Sequence, residues 1–338
     1  MIGFAIPGDL ESATGGYVYA RRVMAEWTAQ GIAHRVVALP DAFPMPGEAD
    51  LRETAALLAD APRPLLIDGL AYGAFPAALA EQLGAGVLLH HPLCDETGLD
   101  AAAAARARET ERAALAHARH VVVTSPLTAR DVAARFGVGE ARITVAEPGL
   151  DRAAPAPLDG DPPHLLAVGS VTPRKGYGYL VAALAECTDL PWTCTIYGAM
   201  DRDPAEVARI RALIDGAALG DRIALHGPVP AESIAEAYRA ADAFVAPSLH
   251  EGYGMAVTEA MAHGLPVIAT RAGALPETAP VARLVAPGDA RALGAALRAL
   301  LENAALRRWM GSESHAFART RPGWGDTARV VARAMGVS

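Results

Sequence analysis

The 338-residue sequence contains a single lysine and only three cysteines. Every other basic residue is arginine, so Lys175 serves more than charge alone, unless compositional drift has left one lysine by chance. The cysteines, Cys94, Cys187 and Cys194, form no CxxC pair and lie near no histidine at zinc-ligand spacing. We therefore expect reduced core cysteines in a cytoplasmic protein, and we expect no metal site.

Long apolar runs and an excess of positive charge are also missing. No stretch reaches the roughly 18 apolar residues of a membrane span. Met1–Pro7 starts as an apolar strand and lacks the basic, apolar and small-residue order of a signal peptide. The net charge of −8 argues against affinity gained by neutralising a nucleic-acid backbone. We predict a cytoplasmic chain with no nucleic-acid partner and no transmembrane segment, and peripheral membrane contact stays open.

The length and the hydrophobic pattern indicate two α/β domains. A chain of 338 residues is too long for one ordinary core and fits two domains of roughly 150 residues. Apolar, β-branched segments such as 120–124 and 243–246 alternate with longer Ala-, Leu- and Arg-rich segments of helical period. This alternation is typical of βαβ units around a buried parallel sheet. The proline-rich segment 151–163, which shows no periodicity, predicts a linker between two doubly wound domains.

The first candidate anion site follows the predicted strand at 165–168. There the sequence GSVTPRKG, residues 169–176, contains Arg174 and the sole lysine and leads directly into a predicted helix. Ligands of doubly wound sheets bind beyond the carboxyl ends of strands, and a helix start presents unpaired N–H groups that suit a phosphate. The spacing is neither GxGxxG nor that of a P-loop, which disfavours a dinucleotide or a Walker-type ATP site. The alternative is a surface turn with two solvated cations.

A second candidate site follows the predicted strand at 243–246, in the sequence EGYGMAVTE at residues 251–259. Its two glycines let the backbone approach an anion closely, and the helix predicted from Met255 turns its positive end to the same point. Glu259 is placed to accept hydrogen bonds from a ribose diol, and Glu251 is placed to reach a sugar. Two solvated glutamates around a glycine turn are the alternative, which a second anion site in the same domain disfavours.

Together the two sequences resemble the donor-site motifs of retaining GT-B glycosyltransferases, the large family 4 group. The resemblance runs over most of the chain and is strongest in its second half. It implies two Rossmann-like domains facing a central cleft, with an acceptor domain at 1–155 and a donor domain at 156–322. The last helix, at about 323–338, is expected to pack back onto the first domain.

The resemblance also implies roles for residues at the donor site. Lys175, or Arg174 beside it, would hold the donor diphosphate, while Glu251 would contact the transferred sugar and Glu259 the ribose. Ser170 stands where many members have arginine, so charge compensation at the diphosphate is weaker or rearranged in this chain. The remaining implied donor-binding residues are Gly252, Tyr253, Gly254 and Met255, with Val229 near the base unless its loop is a simple strand-ending turn.

Residues that follow predicted strands in the first half form another set of candidates. Gly15 and Gly16 precede a helix, where the family places a glycine pair near the donor phosphates; a tight loop entry is the alternative. His90, at the end of a predicted strand, is the first choice for the family's active-site histidine, and a satisfied structural histidine is the alternative. The weaker, acceptor-side candidates are His91, Asp68 and Glu96.

The resemblance thus predicts a metal-independent, retaining hexosyltransferase in which His90, Lys175 and Glu251 are the catalytic residues. Its donor would be a nucleotide diphosphate-sugar, with UDP or GDP expected, and no cofactor beyond this co-substrate is expected. The acceptor hydroxyl, on a glycan, a lipid or a small metabolite, stays open. Another GT-B reaction, that of a phosphorylase or a sugar-nucleotide epimerase, is the alternative, and a non-catalytic nucleotide-binding protein is a less favoured one.

Overall fold

The computed structural model describes residues 1–12, 14–96 and 99–337, and the chain divides into two compact units. Unit 1 comprises Met1–Gly149 and Pro322–Ser338, and unit 2 comprises Leu150–Arg321. Each unit is built around a sheet that has six parallel strands within the described residues, with helices between the strands. This architecture confirms the predicted α/β fold class.

Unit 1 starts with a buried parallel sheet. Among its described residues the strands are β1 (Ile2–Pro7), β2 (His34–Leu39), β3 (Leu65–Asp68), β4 (Gly86–Leu89), β5 (His120–Val123) and β6 (Ile143–Val145). Their order is β2-β1-β3-β4-β5-β6, so the chain reverses direction across the sheet between β1 and β3. Strands β3 to β5 read as nearly continuous apolar runs because helices cover both faces of a parallel sheet.

The first group of helices connects these strands. They are α1 (Gly15–Ala29), α2 (Glu48–Ala59), α3 (Gly69–Tyr72), α4 (Ala77–Leu83), α5 (Ala101–Ala116) and α6 (Pro126–Phe136). Local sequence sets their ends, as α6 shows: the Thr128 N–H donates to Ser125 Oγ at 3.1 Å, and Pro126 occupies the first turn. Gly137, at a φ of +72°, ends the helix in the left-handed conformation.

Unit 2 repeats the architecture with a different strand order. Its described strands are β7 (His164–Val168), β8 (Thr193–Tyr197), β9 (Ile223–His226), β10 (Ala243–Ala246), β11 (Val267–Thr270) and β12 (Arg283–Val285). Its helices are α7 (Tyr177–Ala185), α8 (Pro204–Gly216), α9 (Ala231–Ala240), α10 (Met255–Ala262), α11 (Leu275–Thr278), α12 (Ala290–Glu302) and α13 (Ala304–Ala318). The order β12-β11-β10-β7-β8-β9 places the reversal between β7 and β10.

The C-terminal helix α14 (Trp324–Ala334) belongs to unit 1. Trp27 Nε1 in α1 donates to the backbone oxygen of Ala328 at 2.9 Å, and the rings of Tyr19 and Trp324 meet edge to face with centroids 5.6 Å apart. The backbone at Gly149, in the segment after β6, lies against the start of the helix, since a Cβ there would lie 2.3 Å from the Trp324 backbone. Helix α14 is therefore packed onto the first helix of unit 1.

The segment 151–163 differs from the linker that its prolines indicated. Ala156 and Leu158 are buried in a core of unit 2. The carboxylate of Asp242 accepts the N–H groups of Gly160 at 2.9 Å and of His164 at 2.7 Å. The segment lacks secondary structure because proline removes backbone donors, yet side-chain contacts and a buried carboxylate fix it on unit 2.

The three cysteines are buried and unbridged, Cys94 in unit 1 and Cys187 and Cys194 in unit 2. Among the described helices, none combines the length and the apolar content that crossing a bilayer would require.

Replacing Gly149 with alanine should destabilise the protein by about 1–3 kcal/mol, because the added methyl group would overlap the first residue of α14. Chemical denaturation monitored by circular dichroism would measure the change in the free energy of unfolding. Gly139→Ala is the matched control, since a Cβ at Gly139 meets no atom within 4 Å. Equal stability of the two variants would contradict the close packing of α14 against Gly149.

Candidate functional site

In unit 2 the strands β7 and β10 lie side by side, although β8 and β9 come between them in sequence. The chain therefore leaves the carboxyl ends of β7 and β10 in opposite directions. In doubly wound folds such a reversal opens a crevice in which ligands bind. The loop after β7 contains residues 169–176 and the loop after β10 contains residues 247–254, so the topology brings the two sequence motifs together.

The side chains of both motifs meet at the carboxylate of Glu251. Lys175 Nζ donates to Glu251 Oε1 at 2.7 Å, and Arg174 Nη1 lies 3.5 Å from Oε2. Arg174 Nη1 also donates to the backbone oxygen of His250 at 3.0 Å, and Ser248 Oγ donates to Glu251 Oε1 at 2.7 Å. One carboxylate thus ties together two loops from neighbouring strands.

Glu251 is ionised despite its burial. The residue is 6% exposed, and burial by itself would raise its pKa. The positive charges of Lys175 and Arg174, with the hydrogen bonds from Lys175 and Ser248, outweigh that effect and lower the pKa of Glu251 to about 2. The crevice therefore holds a fixed carboxylate and two cations that would also attract an anionic ligand.

Two glycines allow the loops to approach so closely. A Cβ at Gly176, which has a φ of +69°, would lie 2.1 Å from the backbone oxygen of Pro247. A Cβ at Gly273, which has a φ of +52°, would lie 2.1 Å from the backbone oxygen of Glu251. Only glycine combines a left-handed backbone with such a close approach. These two glycines therefore allow the backbone around Glu251 to pack against the neighbouring loops.

The loop after β10 leads into α10 at Gly254, which has a φ of +93°. Tyr253 is buried, and its backbone oxygen accepts a hydrogen bond from Thr278 Oγ1 at 2.7 Å. One turn into the helix, Glu259 Oε2 accepts a hydrogen bond from Tyr238 Oη at 3.0 Å. The other predicted residues of this loop, Gly252 and Met255, are half-buried.

Two more predicted donor residues follow strands at the same edge of the sheet. Ser170 comes two residues after β7 and is half-buried. Val229 lies between β9 and α9 and is also half-buried. Just before it in the chain, the ring of His226 at the end of β9 stacks on that of Tyr197 at the end of β8, with centroids 5.2 Å apart. This edge therefore presents a flat aromatic surface beside the loop of Val229.

Three residues that support the crevice were not predicted. Ser248 bonds Glu251, Tyr177 Oη donates to the backbone oxygen of Gly169 at 2.9 Å, and Tyr238 bonds Glu259. The position of Ser248, two residues after a strand, was a usable signal. The tyrosines lie at helix positions of apolar period, which do not distinguish a core residue from one whose hydroxyl orders a loop.

In unit 1 another set of predicted residues meets at the carboxyl ends of β1, β3 and β4. His90 directly follows β4, Asp68 ends β3, and His90 Nε2 lies 3.8 Å from Asp68 Oδ2. Gly16, in the first turn of α1, packs on the imidazole, because a Cβ there would lie 3.2 Å from His90 Cδ2. Gly15 beside it is exposed. This group flanks the reversal between β1 and β3.

His90 and Asp68 are both pushed toward their neutral forms. Burial, with a smaller effect from His91, lowers the pKa of His90 to about 3. Burial raises the pKa of Asp68 to about 6, although the Leu70 N–H, 2.8 Å from Oδ1, and the charge of His91 oppose the shift. His90 Nε2 has no hydrogen-bond partner among the described residues. A neutral imidazole with an unsatisfied nitrogen suits a ligand hydroxyl.

The acceptor-side candidates His91 and Glu96 bond each other through Nε2 and Oε1. Their pair lies on the segment after β4 that also carries His90. In the part of the chain that the structure describes, no group of three or more His, Cys, Asp or Glu side chains is arranged to hold a metal ion.

Residues 162–303 match the family model described as "Glycosyl transferases group 1". The matched segment lies within unit 2 and contains both loops of the crevice. This match confirms the resemblance that the two sequence motifs indicated.

Individual proteins resemble larger parts of the chain. A D-inositol 3-phosphate glycosyltransferase of Kineococcus radiotolerans is 30% identical over 245 residues, which cover 63% of this chain and 56% of that relative. The chain therefore spans little more than half of the relative's length. Sucrose-phosphate synthase from Thermosynechococcus elongatus has a TM-score of 0.80 at 22% identity, over 98% of each chain. Anabaena HepE in complex with UDP-glucose has a TM-score of 0.75 at 16% identity, over 99% of each chain. These likenesses confirm the GT-B fold.

Glutamine at position 251 should change how stability depends on pH. Because the pKa of Glu251 is lowered from 4.5 to about 2 in the folded protein, the carboxylate stabilises the fold above pH 4.5, and this contribution is lost as pH falls toward 2. The gap between the urea midpoints of wild type and Glu251→Gln should therefore narrow between pH 6 and pH 3. Glu232→Gln, at an exposed site on α9, should show no such trend. A constant gap for Glu251→Gln would refute the charge pairing.

Proposed function

Because residues 162–303 match the family model of group 1 glycosyltransferases, we propose that the chain transfers a hexose-type sugar from a nucleotide diphosphate donor to an acceptor hydroxyl. The transfer proceeds with retention of the anomeric configuration and without a metal ion. The observation that carries the proposal is the meeting of Lys175, Arg174 and Glu251 beside the start of α10.

The cations suit the leaving group of such a reaction. As the bond between sugar and diphosphate breaks, negative charge grows on the phosphate oxygens, and groups already aimed at that charge lower the barrier. Lys175 and Arg174 are held within 4 Å of a carboxylate, so they are oriented before any ligand arrives. The N-terminal end of α10 adds unpaired backbone N–H groups and the positive end of a helix dipole.

The carboxylates suit hydroxyl groups of the donor. Glu251 stays ionised, so it can accept hydrogen bonds from sugar hydroxyls. Lys175 and Arg174 would bind the diphosphate at the same time. Glu259, oriented by Tyr238 Oη, takes the ribose hydroxyls in this proposal. The base then lies toward Val229, beside the stacked rings of Tyr197 and His226.

The relatives support the choice of donor. A similar structure contains UDP-glucose, and a relative's name describes transfer to inositol 3-phosphate. UDP or GDP is therefore the proposed nucleotide, with no other cofactor. In unit 1, neutral His90 is proposed as the active-site histidine that contacts a substrate hydroxyl, Gly15 and Gly16 as backbone donors for the phosphates, and Asp68, His91 and Glu96 as residues of the acceptor side.

Lys175→Ala should lower turnover by ~10²-fold or more, the effect of losing one group that stabilises charge in the transition state. Release of the corresponding nucleoside diphosphate from a panel of UDP-, GDP- and ADP-sugars would measure it. Arg291→Ala removes one exposed positive charge on α12 and is the matched control. Wild-type turnover in Lys175→Ala would remove the lysine from the mechanism.

The stereochemistry of the product and the effect of chelators test the finer parts of the proposal. Proton NMR of the product formed early in the reaction should show the anomeric configuration of the donor, and excess EDTA should leave the rate unchanged. An inverted product or a rate abolished by EDTA would contradict retaining, metal-independent transfer. Phosphate-dependent release of a sugar 1-phosphate, or an epimerised sugar nucleotide, would point to the alternative GT-B reactions.

A further inference from the structure

The segment 90–96 carries three predicted functional side chains of unit 1. It starts at the end of β4 with His90 and His91 and continues through a 3-10 turn at Leu93–Asp95 to Glu96. A loop of this kind has few ladder hydrogen bonds, so its position depends on what holds it from outside. The imidazole of His90 belongs to the first residue of this segment.

A buried glutamate on α5 holds the middle of this segment. Glu111 is fully buried, and its Oε2 accepts the backbone N–H of Leu93 at 3.0 Å. The other oxygen, Oε1, has no hydrogen-bond partner within the described residues. Gly73, directly after α3, packs against both residues, since a Cβ there would lie 2.8 Å from Leu93 Cδ1 and 3.0 Å from Glu111 Oε1.

A carboxyl group at this position is costly for stability. Burial of a half-satisfied carboxyl in apolar surroundings is unfavourable, and an apolar side chain on the same face of α5 would pack without that cost. Burial raises the pKa of Glu111 to about 8, and the N–H of Leu93, the charge of Asp95 and that of Arg135 modify it less. The group is thus mostly protonated at neutral pH, and it serves as a neutral hydrogen-bond acceptor.

A second anchor lies two residues further along. Arg135 of α6 donates to both carboxylate oxygens of Asp95, at 2.7 Å each, and its Nη2 lies 2.9 Å from Cys94 Sγ. Two helices therefore form hydrogen bonds to one short turn. Helix α5 binds the backbone of Leu93, and α6 binds the side chain of Asp95. The turn has little freedom while both anchors hold.

We propose that Glu111 is a positioning residue, which through its hydrogen bond to the Leu93 N–H sets where His90 stands beside Asp68 and Gly16. The effect on transfer rests on the proposed function, whereas the effect on the position of His90 does not. Glu111 touches neither donor nor acceptor and acts only through the segment 90–96.

Two variants of the full-length chain separate the hydrogen bond from packing. Glu111→Gln keeps a carbonyl oxygen for the Leu93 N–H, and Glu111→Met fills a similar volume without an acceptor. In Glu111→Met, hydrogen exchange at the Leu93 amide should accelerate about tenfold, as expected when one buried hydrogen bond is lost. The ring signals of His90, assigned with His90→Gln, should shift because the ring would move relative to Tyr19, whose centroid lies 5.3 Å away. Glu111→Gln should match the wild type in both measurements.

Binding and turnover complete the test. Glu111→Met should bind UDP or GDP as the wild type does, by calorimetry, while its turnover falls about tenfold and that of Glu111→Gln does not. Wild-type exchange and His90 signals in Glu111→Met would overturn the proposal, as would equal changes in both variants.

If the wild type binds neither nucleotide, the proposed function fails, and the exchange and His90 measurements still decide the role of Glu111. If Glu111→Met does not fold, Glu111→Leu, which also lacks an acceptor, replaces it in the same measurements, and wild-type exchange and His90 signals in that variant would overturn the proposal.

Discussion

The buried ion pair between Lys175 and Glu251 is the interaction on which the candidate donor site depends. It joins the loops after β7 and β10 at the point where the strand order reverses, so it fixes the geometry of the crevice and its charge together. An isolated carboxylate at this depth would be protonated, and an isolated ammonium would be costly to bury. The lysine therefore keeps the carboxylate ionised, and a phosphate group would find cations that are already oriented.

The two units use burial in opposite ways. In unit 2 the cations overcome the burial of Glu251 and keep a charged cluster suited to an anion. In unit 1 burial lacks such compensation, so it keeps His90 neutral and raises the pKa of Asp68 to about 6. Burial likewise raises the pKa of Glu111, whose carboxyl group accepts a backbone N–H. The balance between desolvation and nearby charge thus differs between the two units.

Much of the fold could be predicted because its signals are local. Apolar runs bounded by glycine and proline indicated the strands, although β5 ends at Val123 and β4 at Leu89, each one residue before its predicted end. Strand ends depend on pairing with neighbours, which a single sequence does not show. The segment 151–163 shows a similar limit: its prolines exclude regular structure, but only its contacts, such as that of the Gly160 N–H with the carboxylate of Asp242, show that it is anchored.

The sequence by itself determined the two motifs, their place after strands, and the choice of Lys175 as the cation beside a helix start, because these depend on residue type and short-range spacing. The tertiary structure decided that Glu251 pairs with that lysine, that Asp68 lies near His90, and that Glu111 holds Leu93. These partners are distant in the chain or on separate elements. Their contacts follow from the order of strands and the packing of helices, which residue spacing along one chain does not encode.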